Sequence, residues 1–534
     1  MPKAYDLRDH LGVTAQVLSG FRAGDLYPRW LAESNDGWGE PTLVFYPPGL
    51  YFVSAPLAAL LGGDPLSGLF AALFLFAVAG GAGAFVFVRR RFGTAAGVLA
   101  ALAFSLTPFR VFEVYGAGLY SAFAAASLLP WVLGALEDAA ADGALLRART
   151  GAVVWPVLFA AIVLLNLPAA VLLAYLVAGW LAVRALTTRR AHGALRVAAG
   201  GAWGSLMAAV YLVPALAEMS AVQVPHLGSG MYRGNFLFQS GGSGMSPGLQ
   251  SVFDRMGIFP ALALAAALGG MEAARQRSLL PAGDARRAWT LLVAAVGGAS
   301  LFLATPAARW VWEWLPVLQR VNLPWRFLEP LSATAACAAA ASASLLAREK
   351  ALPRTVRLAV LAFLVLLAAV GLAFDASLTA VNGKISAADC RAAIRQFARK
   401  EGYFLPKGAR PSIELAGAPR LACDRPCRVA VLEESPARRR IHVAAEAPMH
   451  LAVRTYFFPG WTAERGEGAS AQPLPIGAEP GTGRIVVDLP AGESLVVLRF
   501  GTTAARRAGG AVSALALLAW VAWLVKRRSG RGTT

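Results

Sequence analysis

Residues 43–62, LVFYPPGLYFVSAPLAALLG, are apolar enough to cross a bilayer, and whether they do so decides which way round the whole chain sits. A spanning helix needs about 20 apolar residues to cover a hydrocarbon core of about 30 Å. This stretch has the length, but Pro47-Pro48 and Pro56 remove backbone donors and argue against an ordinary straight helix. The distribution of charge gives the stronger argument.

The chain of 534 residues is 57% hydrophobic and 15% charged, and its repeated apolar runs mark a polytopic α-helical membrane protein. A net charge of +19 would raise nucleic acid as the partner of a soluble protein. Here Lys and Arg fall in short loops between apolar runs, as the positive-inside rule requires of cytoplasmic loops, and no nucleic acid is implied. Basic groups gather at Arg89–Arg91, Arg147 and Arg149, Arg184–Arg196, Arg275–Arg287, Arg348–Arg357 and Lys526–Arg531. Eleven spans, at 67–88, 94–112, 121–137, 152–165, 168–186, 197–214, 257–273, 289–305, 331–347, 358–376 and 508–525, place every cluster in the cytoplasm in strict alternation.

If residues 43–62 also crossed, Arg89–Arg91 would fall outside. The stretch therefore reads as a helix lying in the outer interface, with Tyr46, Tyr51 and Phe52 at headgroup depth. Residues 1–42 then lie outside. Either the first helix translocates a short amino-terminal tail or a further span precedes residue 1, and the second is favoured.

Four regions follow: an external loop and interfacial helix over 1–62, a transmembrane helical bundle over 63–376, an extracytoplasmic β-sandwich over 377–505, and a last transmembrane helix with a basic cytoplasmic tail over 506–534. The third rests on short runs such as RIHVAAEA, HLAVRTYFF, GRIVVDLP and ESLVVLRF, which alternate at period two between Pro and Gly turns. Cys337 falls within a span and reads as a packing residue. Cys390, Cys423 and Cys427 fall in the external domain, where an oxidising compartment permits one disulfide among them, its partners open.

The opening segment, DLRDHLGVTAQVLSGFRAGDLYPRWLAESNDGWGEPTLVFYPPGLY over 6–51, concentrates carboxylates and aromatics that a bilayer-facing surface does not need. On a helix, offsets of three and four put Asp6, Asp9 and His10 on one face. Two carboxylates at an outer membrane surface can act as a general base toward a hydroxyl or hold a divalent metal bridging a phosphate, or they are simply solvated. A second cluster, Arg29, Trp30, Asp36, Trp38, Glu40 and Tyr46, offers aromatic faces and carboxylates to sugar rings and an Arg to phosphate. Trp and Tyr are equally ordinary residues of an interfacial belt.

A third group lies in the external loop 306–330, PAARWVWEWLPVLQRVNLPWRFLEP, where Arg309, Arg320 and Arg326 stand beside Trp310, Trp312, Trp314 and Trp325. Aromatic rings beside guanidiniums suit a lipid-linked phosphate. Glu113 and Glu218 belong to the same outer side, where they are cheap to solvate. No GxGxxG or GxxxxGK[ST] loop occurs on a cytoplasmic segment, which disfavours a nucleotide-driven pump.

The elements DLRDHL, YPRW, GWGEP and FYPPGLY, followed by YLVPALAE at 211–218, LPWRFLEP at 323–330 and YFFPGW at 456–461, resemble the bacterial membrane family known as 6-pyruvoyl-tetrahydropterin synthase-related, and its YfhO-like relatives. A pterin synthase needs clustered His for zinc, and the five His here have no ligand spacing. The resemblance implies instead a GT-C-like glycosyltransferase of the bacterial cytoplasmic membrane, with an acidic catalytic residue in its first external loop, an interfacial helix after that loop, and a polyprenyl-phosphate sugar as donor. A glycan or lipid would be the acceptor.

Carried over, the D-x-x-x-H element makes Asp6 the first choice of catalytic base and Asp9 the second. Substrate contacts would come from His10, Arg29, Trp30, Glu40, Tyr46, Glu113, Tyr115, Glu218, Arg320, Trp325 and Arg326. Near Tyr115 the family tends to show an Arg-Gly and a following Glu, where this chain has Gly116, Ala117 and Gly118. A non-catalytic reading also stands, as a transporter or scaffold for lipid or polysaccharide assembly. It calls for polar groups along a path through the bundle, of which Asn166 is the clearest.

Overall fold

The structure, a computed structural model, describes residues 4–140, 150–188, 192–224, 230–239, 246–277, 279–281, 283–348, 386–399 and 402–529, with the isolated positions 362, 369 and 373. Among them, seven helices are long and apolar enough to cross a membrane: Pro65–Phe92, Tyr120–Ala140, Leu167–Leu186, Gly248–Gln276, Ala285–Ala304, Pro324–Ala347 and Ala504–Arg527. Two bent pairs raise this to nine, Thr94–Ser105 with Pro108–Ala117 at 42° and Gly193–Met207 with Ala209–Ala217 at 73°. Of the eleven expected spans, 152–165 appears as the shorter apolar helix Val153–Leu165, and 358–376 lies almost wholly outside the described residues.

The segment 43–62 is not among the helices long enough to cross a membrane. It holds a turn over Thr42–Phe45, an extended Tyr46, and the helix Gly49–Leu60, whose 12 residues rise about 18 Å against a core of about 30 Å. Pro56 sits inside this short helix. Tyr51 is buried and Tyr46 half-buried, and both turn inward to a pocket rather than out to headgroups.

Charged groups collect at one end of the bundle. Arg90 pairs with Asp138 at 2.9 Å and Arg91 with Glu137 at 2.7 Å, while the Arg184 guanidinium donates to the Ala140 carbonyl at 2.6 Å. Ser344 donates to the Phe92 carbonyl at 3.1 Å, so the last turn of Leu328–Arg348 meets the same end. At the opposite end the Tyr211 hydroxyl donates to the Phe45 carbonyl at 2.7 Å, and the amino-terminal segment packs there.

The carboxy-terminal region forms two antiparallel sheets. One has four strands in the order Leu421–Cys423, Met449–Tyr456, Arg484–Leu489, Ile476–Ala478; the other has five in the order Cys427–Ser435, Arg438–Ala445, Gly492–Phe500, Trp461–Arg465, Gln472–Leu474. Side chains alternate across a strand, so Ile485, Val487 and Leu489 are buried between more accessible neighbours, as are Ile441, Val443 and Ala445. These residues belong to one core. The disulfide joins Cys423 to Cys427, the end of an edge strand in one sheet to the start of an edge strand in the other, and Cys390 is a buried free thiol.

Candidate functional site

A pocket of about 390 Å³ opens where the bundle, the amino-terminal segment and the chain entering the sheets meet. Its first wall is the start of the helix Leu7–Arg22. The backbone N–H groups of Tyr5 and Asp6 donate to the carbonyls of Gly116 and Ala117 at 3.1 and 3.0 Å, which fixes where the helix begins. Asp6, Asp9 and His10 then face the pocket together.

His10 is fully enclosed, between the rings of Tyr51 and Tyr120. Burial pulls its pKa from 6.5 to about 4, against an opposing pull from Asp9. A neutral ring fits its partners: Nδ1 lies 2.9 Å from the Tyr51 hydroxyl and the other nitrogen serves the Gly118 carbonyl. It therefore positions the helix rather than carrying a proton.

A pH dependence follows. Above about pH 6.5 the ring is neutral folded or unfolded; as pH falls toward 4 the unfolded chain takes the proton first, and up to about 3 kcal/mol of stability is lost across that window. The melting temperature of the detergent-solubilised protein should fall between pH 6.5 and 4, and less steeply in His10→Gln. Equal slopes would refute this role.

The facing wall carries Arg326, from the turn Pro324–Phe327. Asp6 and Tyr46 lie within its electrostatic reach. Among the described residues no group hydrogen-bonds its guanidinium, which leaves it open to an anion from the pocket. Behind it the bundle holds a buried set of charges: Glu113, 0% exposed, has its carboxyl beside that of Glu329, with Arg110 and Arg326 as the neighbouring cations. Glu113, expected to be solvated, is enclosed and reaches the pocket only through Arg326.

The third wall comes from residues 402–404, ahead of the sheets. The Tyr403 hydroxyl donates to the Asp9 carboxylate at 2.9 Å, and the Phe404 N–H donates to Glu40 at 2.6 Å. Gly402 donates to the Asn35 side-chain oxygen at 2.7 Å, and a Cβ at Gly402 would stand 2.3 Å from the Glu40 carboxylate, so only glycine permits this approach. Asn35 is aimed by its own left-handed backbone, φ 55°. Glu40 thus lines the pocket while clamping this loop. Tyr403, Gly402 and Phe404 join the site unannounced, since the stretch GYF carries no sequence pattern that marks it.

The remaining expected site residues lie elsewhere. Trp30 is buried against Phe458, Trp461 and Phe500, with its ring edge-on to Trp461 at 5.5 Å. Arg29 sits over the Tyr27 ring at 3.6 Å, Trp325 stacks on Phe253 at 4.6 Å, and Glu218 is ion-paired to Arg506 at 2.7 Å. Tyr115 is half-buried in the π-turn Glu113–Ala117, and Arg320 is exposed; neither lines the pocket. Asn166 does line it, at the break between two helices, where its side-chain oxygen accepts from the Ala169 N–H at 2.9 Å.

As for a metal, no group of three or more His, Cys, Asp or Glu gathers among the described residues. Asp6 and Asp9 would be the two carboxylates offered to a divalent ion.

A helical membrane bundle joined to a sheet region, with acids and a guanidinium lining a pocket at their junction, defines a polytopic membrane protein with a candidate site there. The chain belongs to the 6-pyruvoyl-tetrahydropterin synthase related family of membrane proteins, whose model matches residues 43–382. No curated protein matches it. Among solved structures it is similar to ArnT from Cupriavidus metallidurans, crystallised bound to undecaprenyl phosphate, at 15% identity and a TM-score of 0.38, over 73% of this chain and 70% of that one.

Proposed function

We propose that the protein transfers a sugar from a polyprenyl-phosphate donor to an envelope glycan or lipid acceptor on the outer face of the bacterial cytoplasmic membrane. The arrangement that carries this reading is Asp6 and Asp9 on one wall of the pocket with Arg326 on the other. Asp6 takes the proton of the acceptor hydroxyl, the oxygen attacks the anomeric carbon, and the phosphate departs with the bonding electrons toward Arg326. Asp9, already held by Tyr403, orients the acceptor or supplies the base. The donor phosphate is a good leaving group, so alignment, a base and one positive charge suffice.

In the same reading the spans number eleven, the two sheets form a sandwich, and the chain divides at 1–62, 63–376, 377–505 and 506–534. A transport path would need polar groups through the bundle; Asn166, its best candidate, is engaged in capping the Leu167–Thr188 helix.

The test is transfer in membranes supplied with a labelled polyprenyl-phosphate sugar. Loss of a general base costs about 10²- to 10⁴-fold. Asp6→Asn should fall in that range and Asp9→Asn by less; wild-type transfer in the double variant would remove the catalytic assignment.

A further inference from the structure

A second cavity, of about 300 Å³, lies between the amino-terminal segment and the edges of both sheets. Its charged lining is Arg420, Arg439, Arg454, Glu33 and Glu434, and its apolar lining includes Leu421, Val431, Ile441 and Val453 and no aromatic ring. Glu434 is shared by two of the cations, 3.4 Å from Arg420 and 3.5 Å from Arg439. Arg439 is further committed to the Arg454 carbonyl at 3.3 Å and to the Thr455 hydroxyl. Arg454 is half-buried, and among the described residues its guanidinium has neither a hydrogen-bond nor an ion-pair partner; it faces the bare Cα of Gly37.

Sugars recognised through their C–H faces need an aromatic platform, which this cavity lacks. Three guanidiniums against two carboxylates favour an anion, and the planar fork of Arg454 suits a carboxylate or phosphate held by two parallel hydrogen bonds. The cavity also shares a wall with the first pocket. Asp9, His10 and Val13 of the helix Leu7–Arg22 line the first and Ser19 of the same helix lines the second, so ten residues, about 15 Å of helix, separate Asp9 from Ser19. Ser34 and Glu33, adjacent in the chain, divide in the same way.

We propose that this cavity binds the anionic group, carboxylate or phosphate, of the acceptor glycan, and so selects an acidic acceptor and aligns its chain toward Asp6. The inference rests on reading the first pocket as a transferase site. Arg454 makes the ion pair with the ligand, Arg420 adds charge from the rim, and Arg439 with Glu434 holds the frame.

Calorimetric titration of the full-length protein in detergent tests it, with three tetrasaccharides of equal length as probes: one of uronic acid, one bearing phosphate and one neutral. An acidic probe should bind at least tenfold more tightly than the neutral one, and whichever acid binds names the source of the anion. Arg454→Gln should weaken that binding at least tenfold, as should Arg420→Gln, whose side chain is 71% exposed and whose loss leaves the core intact. Asp6→Asn should bind the acidic probe within twofold of wild type. Equal binding of acidic and neutral probes, no binding of either acid, or wild-type affinity in both Arg variants would overturn the proposal. If Asp6→Asn abolishes transfer while no acid binds, the transferase reading stands and this one fails; if the acid binds at Arg454 while Asp6→Asn transfers normally, the site is real and the catalytic reading falls.

Discussion

Arg326→Gln should lower sugar transfer by roughly 10²- to 10³-fold, the cost of removing one well-placed donor to a developing negative charge. Charge grows on the phosphate oxygen as its bond to the anomeric carbon breaks, so the guanidinium interacts more strongly with the transition state than with bound donor, and kcat should fall further than KM rises. The proposed reading gives Arg326 that task because no described side chain hydrogen-bonds it, while Glu329, Tyr46 and Asp6 lie within its field. Arg326→Lys keeps the charge and loses the fork, and should recover part of the activity. The substitution also leaves Glu113 and Glu329 with Arg110 as their remaining cation, so melting temperatures belong beside the rates. A Gln variant that stays folded and turns over at the wild-type rate would exclude Arg326 from the leaving-group side.

What the sequence makes legible here is local. Offsets of three and four on a helix bring Asp6, Asp9 and His10 to one wall, prolines break 43–62 into a turn and a helix of 12 residues, and alternation marks the strands of the sheets. Those are consequences of backbone period and of proline's missing donor, both readable without a partner. The misreadings concern partners. Trp30 reads as a sugar platform until Phe458, Trp461 and Phe500 cover it, and Glu218 reads as a solvated acid until Arg506, 288 residues further on, reaches it. Tyr403 meets Asp9 across 394 residues and no spacing announces that contact. The landmarks YLVPALAE and YFFPGW are informative for a reason the motifs themselves hide: Tyr211 anchors to Phe45, Tyr456 stacks on Trp38 at 5.0 Å, and both hold the opening segment in place.

Removing the Glu218–Arg506 pair from one side should be the most destabilising single change outside the pocket. The side chains are 7% and 1% exposed and 2.7 Å apart; Thr503 donates to the other Glu218 oxygen at 2.6 Å, and Arg506 donates to the carbonyls of Gly501 and Pro459 at 2.9 and 2.8 Å. Arg506→Ala strips a cation from a buried carboxylate and two carbonyls at once, a loss of about 3–5 kcal/mol, whereas replacing both partners by apolar groups of similar volume costs much less. Arg506→Met with Glu218→Leu should therefore melt at a higher temperature than Arg506→Ala alone, by several degrees in detergent. Arg506→Met alone separates the two causes, because it keeps a side chain over Phe500, where Arg506 lies 4.7 Å from the ring, but leaves Glu218 unpaired: it should melt below the double variant, whereas lost packing alone would leave the two equal. The pair sits where the helix Ala504–Ser529 leaves the sheets and meets the end of Ala209–Ala217, whose Tyr211 holds Phe45. Freeing that corner loosens the seat of Tyr46 and Glu40, so Arg506→Ala should also weaken transfer while sparing Asp6 itself, and the double variant should restore both stability and rate in the same order.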